Sequence, residues 1–217
     1  EVLKKVEKEF DFKGRKNAPK KVNQIDKPVQ TTKIVENTAH TNTAYAMFGW
    51  LGPKASDLKG TISLDLISII FGDGGSSRLY QNLIEKQPEQ KFNMVNSEHY
   101  QFNDGNNFFI QANFKPEKKE EALNLLKKEL ANLLDNPITE AELQKAKKKT
   151  KSRFAYAAET VSEIGETIGY YTTVCNDLKL VEDYLKDLDE ITLEDLRNSI
   201  EKYLDINHAV ISILMPE

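Results

Sequence analysis

Two neighbouring segments constrain this chain more than any other part of it. Residues 107–114 alternate strictly, with Phe108, Ile110, Ala112 and Phe114 set against Phe109, Gln111 and Asn113. Residues 91–101 precede them across Asn103-Asp104-Gly105. Period-two alternation is the mark of a strand with one buried face. An Asn-Asp-Gly corner tolerates positive φ, so the two segments read as a hairpin. A lone hairpin is marginal in water, so its apolar face needs a second layer. The rest of the chain must supply that layer.

It does so with more strands and a long run of helices. Residues 29–35 read as a strand by their β-branched content. Residues 41–51 read as another, with Tyr45, Met47 and Gly49 on one face and Ala44, Ala46, Phe48 and Trp50 on the other. Apolar residues on both faces predict a central strand covered on both sides. A helix is expected over 56–71 and a short one over 77–86. Pro116 suits the first turn of a helix ending near Leu134, with Ala122, Leu126, Leu130 and Leu133 facing inward. Thr139 with Glu142, Thr160 with Glu163, and Thr192 with Asp195 each mark a helix start by capping-box spacing. Their apolar stripes are Leu143–Ala146–Thr150–Phe154–Ala157, Val161–Ile164–Ile168 and Leu193–Leu196–Ile200–Tyr203. A shorter helix falls over 178–188 and a last strand over 207–214. Strands and helices do not alternate throughout, which rules out a doubly wound sheet. The expected class is α+β, a mixed or antiparallel sheet with helices packed on one face.

At 217 residues the chain is one large domain or two small ones. Val2, Leu3, Val6 and Phe10 form a helical stripe, followed by a hydrophilic stretch from Lys13 to Pro28. Residues 1–28 therefore read as the helix tail of a preceding domain plus a linker, and 29–217 as a single α+β domain. The chain begins at Glu1 and reads as a piece of a longer protein, so the absence of a signal peptide says nothing. Thirty basic against 34 acidic residues leave a net charge of −4, a poor basis for nucleic-acid binding. No apolar run reaches the roughly 20 residues of a membrane helix. The most apolar stretch, Leu64 to Phe71, is broken by Asp65 and Ser68. A single cysteine, Cys175, excludes a disulfide framework and reads as a free buried thiol. Bacterial periplasm and cytoplasm are both compatible.

Among motifs, the loop Gly72-Asp73-Gly74-Gly75-Ser76-Ser77 precedes a helix and has the composition of an anion cradle. It lacks the lysine of a Walker loop and the third glycine of a dinucleotide fingerprint. A tight joint between helices, with Ser76 or Ser77 as N-cap, is the better reading. His40, His99 and His208 are scattered. Val95 to His99 is a near miss for His-x-x-Glu-His, but in a strand residues four apart stand roughly 13 Å from each other. Each histidine is expected at a surface or strand end. The basic cluster Lys145, Lys147, Lys148, Lys149, Lys151 and Arg153 reads as a solvated helix face.

The loop and the helix after it, Phe71-Gly72-Asp73-Gly74-Gly75-Ser76-Ser77-Arg78-Leu79-Tyr80-Gln81-Asn82-Leu83, carry a family resemblance. They resemble the second domain of an insulinase/pitrilysin-type zinc metallopeptidase subunit, the group that includes the mitochondrial processing peptidases. Ile138 to Lys147 resembles the family's helix after its leucine-rich helix, and Ile191 to Leu196 its last helix. The piece ending at Phe10 resembles the final helix of the preceding domain.

The resemblance implies a subunit of two similarly folded α+β domains. The first would hold zinc through His-x-x-Glu-His, with the glutamate activating water. The second would form part of the wall of a peptide-enclosing chamber. No cofactor and no catalytic or metal-binding residue is then expected in this chain. Zinc belongs to the parent protein or its partner, and the fragment alone is expected to be inactive. The implied partners are the preceding zinc-binding domain, a homo- or heterodimeric second subunit, and a peptide substrate. The implied chamber or structural loop is Gly72, Gly74, Gly75, Ser76, Ser77 and Arg78. Many members carry an arginine and, seven residues on, a tyrosine that grip the substrate backbone. Here Ile84 replaces the arginine, and Lys91 or Phe92 the tyrosine. Isoleucine cannot donate a hydrogen bond, so that pair is degenerate. The gripping pair then lies on a partner subunit, or the parent is an inactive member serving as a binding or assembly subunit.

Overall fold

The computed structural model describes residues 1–10, 27–54, 56–102 and 105–217. The expected hairpin pairs antiparallel: β3 (Phe92–Tyr100) lies against β4 (Asn107–Phe114), from Phe92 opposite Phe114 to Tyr100 opposite Asn107. A bulge at Asn93 shifts the register between Phe92 and Met94, and Asn93 Nδ2 donates to Asn113 Oδ1 at 3.0 Å. The Asn103-Asp104 part of the corner lies outside the described residues, as does most of the expected linker, residues 13–26. On its other side β4 pairs with β2 (Ala44–Leu51). Next comes β5 (Val210–Pro216), antiparallel to β2 and parallel to β1 (Lys33–Ala39). The sheet order is β1-β5-β2-β4-β3. The last strand of the chain thus sits inside the sheet and fastens the first one to it.

The helices cover one face. α2 (Leu58–Gly72) runs across it, buried on nearly all sides, and Asp57 accepts from Gly60 N–H at its start. Around it lie α4 (Lys119–Asp135), α5 (Glu140–Tyr156), α7 (Lys179–Leu188) and α8 (Leu193–Tyr203), with α3 (Arg78–Tyr80) after the glycine loop. Phe48, Phe71, Phe92, Phe108 and Phe114 fill the core with Ile62, Leu64, Ile67 and Ile110. Trp50 Nε1 donates to the carbonyl of Asp205 at 2.8 Å, which satisfies its one polar atom. All three capping threonines act as expected. Thr139, Thr160 and Thr192 accept from the backbone N–H of Glu142, Glu163 and Asp195. The α+β class with helices on one face holds. Among the described residues no helix is long and apolar enough to cross a membrane.

Several expectations need correction. β2 is covered on one side only: Tyr45 and Met47 are each 39% exposed on the open face. Apolar content on both faces could not tell a second protein layer from an uncovered surface. β1 begins at Lys33 rather than 29, because its extent follows its pairing with β5 from Val210 onward. α6 (Val161–Thr173) buries only Tyr171 and leaves Val161, Ile164 and Ile168 exposed. The short helix after α3 widens into a π-helical turn over Gln81–Glu85, with Lys86 N–H donating to the carbonyl of Gln81 at 3.0 Å. Leu193 and Tyr203 are only half-buried at the core margin. At the start of the chain, α1 (Val2–Glu9) buries none of its residues.

Candidate functional site

The two residues that break the apolar run of α2 organise the polar centre of the molecule. Asp65, Ser68 and Gly72 are spaced three and four apart, so they share one face of the helix. That face meets β3. Ser97 Oγ donates to the carbonyl of Ser68 at 3.0 Å. Gly72 sits so close to β3 that a Cβ would lie 2.0 Å from the Ser97 nitrogen. The first glycine of the loop is therefore required by contact between two backbones.

Asp65 is the hub. Its Oδ1 lies 2.6 Å from His99 Nδ1, and its Oδ2 accepts from Gln101 Nε2 and from Tyr184 Oη, each at 2.6 Å. A carboxylate only accepts, so His99 Nδ1 carries the proton of this contact. The His99 side chain is 1% exposed, and Nε2 has no hydrogen-bond partner among the described residues. His99 thus stands at the end of β3, one position before Tyr100, but is buried rather than a surface residue. Its strand position was legible, but the tertiary partner that draws it inward lies 34 positions away. Burial pushes the Tyr184 hydroxyl well above its ordinary pKa, and the Asp65 charge adds to this. Tyr171 is raised by the same causes, so both rings stay neutral donors at any ordinary pH. Tyr170 Oη donates to the carbonyl of Gln101 at 2.6 Å. Cys175 is free and buried, as expected, and burial raises its thiol pKa.

A cavity of about 620 Å³ opens beside this cluster, lined by Asp65, Asp73, Asn96, Glu98, His99, Arg153, Phe154 and Tyr184 among others. Asn96 Nδ2 donates to Glu98 Oε1 at 2.9 Å, and Asn96 Oδ1 is buried with no hydrogen-bond partner among the described residues. Tyr100 Oη donates to the other oxygen of Glu98. Across the cavity, Phe154 and Tyr184 stack with ring centroids 5.1 Å apart.

Of the loop residues named from the sequence, Gly72 and Gly74 line this cavity. Gly74 takes φ 86°, a conformation glycine adopts without strain. Asp73 is clamped by Lys149 Nζ at 3.0 Å and Arg153 Nη2 at 2.5 Å. Gly75 and Ser76 are exposed, whereas Ser77 precedes α3 without making a side-chain cap. Arg78 is fully engaged. It donates to both oxygens of Glu142 at 2.7 and 2.8 Å and to the carbonyls of Asn136 and Pro137. This fork holds the Glu142 pKa down to about 2. The three positions that the resemblance names as a degenerate gripping pair are engaged within the domain. Ile84 lies against the core, Phe92 is fully buried edge-on to Phe114, and Lys91 pairs with Glu121 at 3.0 Å. Nor is the basic cluster merely solvated. Lys147 is 5% exposed and donates to the carbonyls of Asp189 and Ile191 at 2.9 and 2.6 Å.

Zinc does not fit here. Among the described residues no group of three or more His, Cys, Asp or Glu is placed to hold a metal ion. His99 offers one nitrogen, and Asp65 already accepts from three donors.

A family model described as the peptidase M16 inactive domain matches residues 1–150. The chain belongs to the M16 inactive-domain family. The zinc protease PqqE of Helicobacter pylori is 30% identical over 164 residues, 73% of this chain and 35% of that protein. An Arabidopsis thaliana protein named "Probable mitochondrial-processing peptidase subunit alpha-1, mitochondrial" is 27% identical over 177 residues, 76% of this chain and 34% of that one. The chain spans about a third of the length of these M16 relatives. The crystal structure of a Helicobacter pylori protease superposes with a TM-score of 0.83 at 22% identity, over 99% of this chain and 52% of that one. An M16 inactive domain from Pseudomonas fluorescens gives 0.73 at 24% identity, over 90% of this chain and 46% of that one. The α+β fold is that of M16 inactive domains, and the chain is a non-catalytic domain of this type.

Proposed function

We propose that this domain is the second, non-zinc domain of a zinc-dependent peptidase subunit, with residues 1–28 as the tail and linker of the domain before it. It forms part of a chamber wall and of the subunit contacts, and a zinc site outside this chain hydrolyses the peptide bond. The observation that carries this reading is the match of an inactive-domain family to a chain that spans only about a third of relatives named as zinc protease and processing-peptidase subunit. The uncovered face of the sheet fits it, since Val35, Tyr45, Met47 and Met94 are exposed there as apolar surface for a neighbouring layer. The test compares the 217-residue chain with its full-length parent, each supplied with zinc, on a quenched fluorescent peptide. Turnover by the parent alone is expected, and zinc-dependent turnover by the isolated chain refutes the reading.

A second reading, an assembly subunit without peptidase activity of its own, is favoured by one feature. Ile84 stands where the resemblance places a substrate-gripping arginine, and it is packed against the core. Retention of a zinc-bearing M16 subunit on the full-length protein, with cleavage only by the pair, distinguishes a catalytic partnership from pure assembly.

A further inference from the structure

We propose that the cleft between the end of α5 and α6 binds an organic cation with a quaternary ammonium head. The inference stands apart from the peptidase reading, since it uses neither a zinc site nor the open face of the sheet. The cleft has a volume of about 570 Å³, within the range of small-molecule sites. Phe154 and Tyr156 line it from the last turn of α5, and Tyr170 and Tyr171 from α6. The Tyr170 and Tyr171 rings meet at 85° with centroids 5.4 Å apart, so they form two walls of a corner. Tyr156 is 63% exposed, an aromatic ring that the domain leaves largely uncovered. No lysine or arginine among the described residues is stacked on any of these four rings; the cation stacked on a ring elsewhere is Lys202 on Tyr203.

Charge sets the sign of the ligand. Glu163, Glu166 and Tyr170 are spaced three and four apart on α6, so they share the face that lines the cleft. Glu163 accepts from Thr160 Oγ1 and has no cationic partner, and Glu166 has no hydrogen-bond or ion-pair partner among the described residues. Arg153 also lines the cleft, but its Nη2 is committed to Asp73 at 2.5 Å. Between Arg153 and Lys179 the sequence holds no lysine or arginine, whereas Glu159, Glu163, Glu166 and Asp177 fall within that stretch. Local excess negative charge favours a cation. The nature of the lining then selects among cations. A guanidinium brings five N–H donors and a plain ammonium three, and each donor needs an acceptor. The Tyr170 hydroxyl is already spent on the carbonyl of Gln101 at 2.6 Å, so this part of the cleft offers ring surface rather than acceptors. A quaternary ammonium has no N–H to satisfy and is attracted to aromatic faces directly, with the carboxylates supplying long-range attraction.

The test titrates choline, its neutral isostere 3,3-dimethyl-1-butanol, and ethanolamine into the 217-residue chain, with amide spectra following α6 and ligand spectra following the N-methyl protons. Choline is expected to shift the amides of residues 163–171, to have its N-methyl signal moved upfield by the rings, and to bind at least about fivefold tighter than either control. Tyr156→Ala is expected to weaken choline about fivefold while Tyr156→Phe, which keeps the ring, binds as the parent chain does. Glu166→Gln is expected to weaken it about threefold, an effect that shrinks in high salt. A parallel titration with Nα-acetyl-Nε-trimethyllysine amide identifies the source of the group: tighter binding than choline assigns a methylated polypeptide, weaker binding a free small molecule. Equal binding of choline and its isostere, equal binding of choline and ethanolamine, an unmoved α6, or an unchanged Tyr156→Ala variant overturns the proposal. Each variant sits on exposed surface, so a thermal unfolding midpoint equal to the parent's confirms that the loss is one of binding.

Discussion

Replacing Gly72 with alanine tests the contact that joins the end of α2 to β3. The added Cβ would lie 2.0 Å from the Ser97 nitrogen, 2.5 Å from Ser97 Oγ and 2.7 Å from the Asn96 carbonyl carbon. Carbon contacts settle at about 3.5–4.0 Å, so helix and strand must part by roughly 1.5 Å. The obstacle is backbone within a sheet, which cannot swing aside as a side chain does. Overpacking of this kind costs about 1–3 kcal/mol, here toward the upper end. The separation also strains the Ser97–Ser68 hydrogen bond, worth about 0.5–1.5 kcal/mol. Against this, removing a glycine returns about 0.4–1 kcal/mol by restricting the unfolded chain. The net is a destabilisation of about 2–3 kcal/mol, or a fall in Tm of about 5–10 °C for a domain of this size. Gly75→Ala is the control, because its nearest neighbour is Tyr80 Cε1 at 3.9 Å, and it is expected to stay within about 0.5 kcal/mol of the parent chain. Urea and thermal unfolding of the three proteins measure the difference. Coincident midpoints for Gly72→Ala and Gly75→Ala would refute the reasoning.

Arg78→Ala removes the main cause that lowers the Glu142 pKa from 4.5 to about 2. The stability this pair supplies is present above pH 4.5 and is lost as pH falls toward 2. The acid limb of a stability-against-pH curve should therefore flatten in the variant, and an unchanged limb would show that Arg78 is not the cause. Tyr184→Phe deletes one of the three donors to Asp65 and should cost about 1.5–3 kcal/mol in urea unfolding, as expected for a hydrogen bond to a charged acceptor. Lys147→Met leaves the carbonyls of Asp189 and Ile191 without their donor and should cost about 1–3 kcal/mol, whereas Lys148→Met on the exposed side of α5 should stay near zero.

Local patterns were read correctly where local physics decides. The alternation over 107–114, the three capping threonines and the proline that opens the turn before α4 each report on a few adjacent residues, and each appears in the structure. The glycine loop was visible as a break, but its glycines looked alike. Only the fold separates Gly72, pressed against β3, from Gly74, which needs positive φ, and from Gly75, which meets almost nothing. The basic cluster looked uniform for the same reason. Lys147 is buried against two carbonyls, Lys149 and Arg153 hold Asp73, and these partners lie far along the chain.

The polar centre was the hardest part to foresee, although its trace was present. Asp65 and Ser68 interrupted the most apolar run of the chain, at the three-residue spacing that puts them on one helix face. Nothing local names their partners. The sequence by itself determined the alternation, the caps, the class of fold and the family resemblance, because each is written in spacings of two to four residues or in contiguous motifs. The tertiary structure alone decided which face of the sheet stays open, which glycine is irreplaceable, and that His99 turns inward to Asp65. Those outcomes depend on which distant segments are brought within hydrogen-bonding reach, and that is fixed only when the sheet and its helices close around a common core.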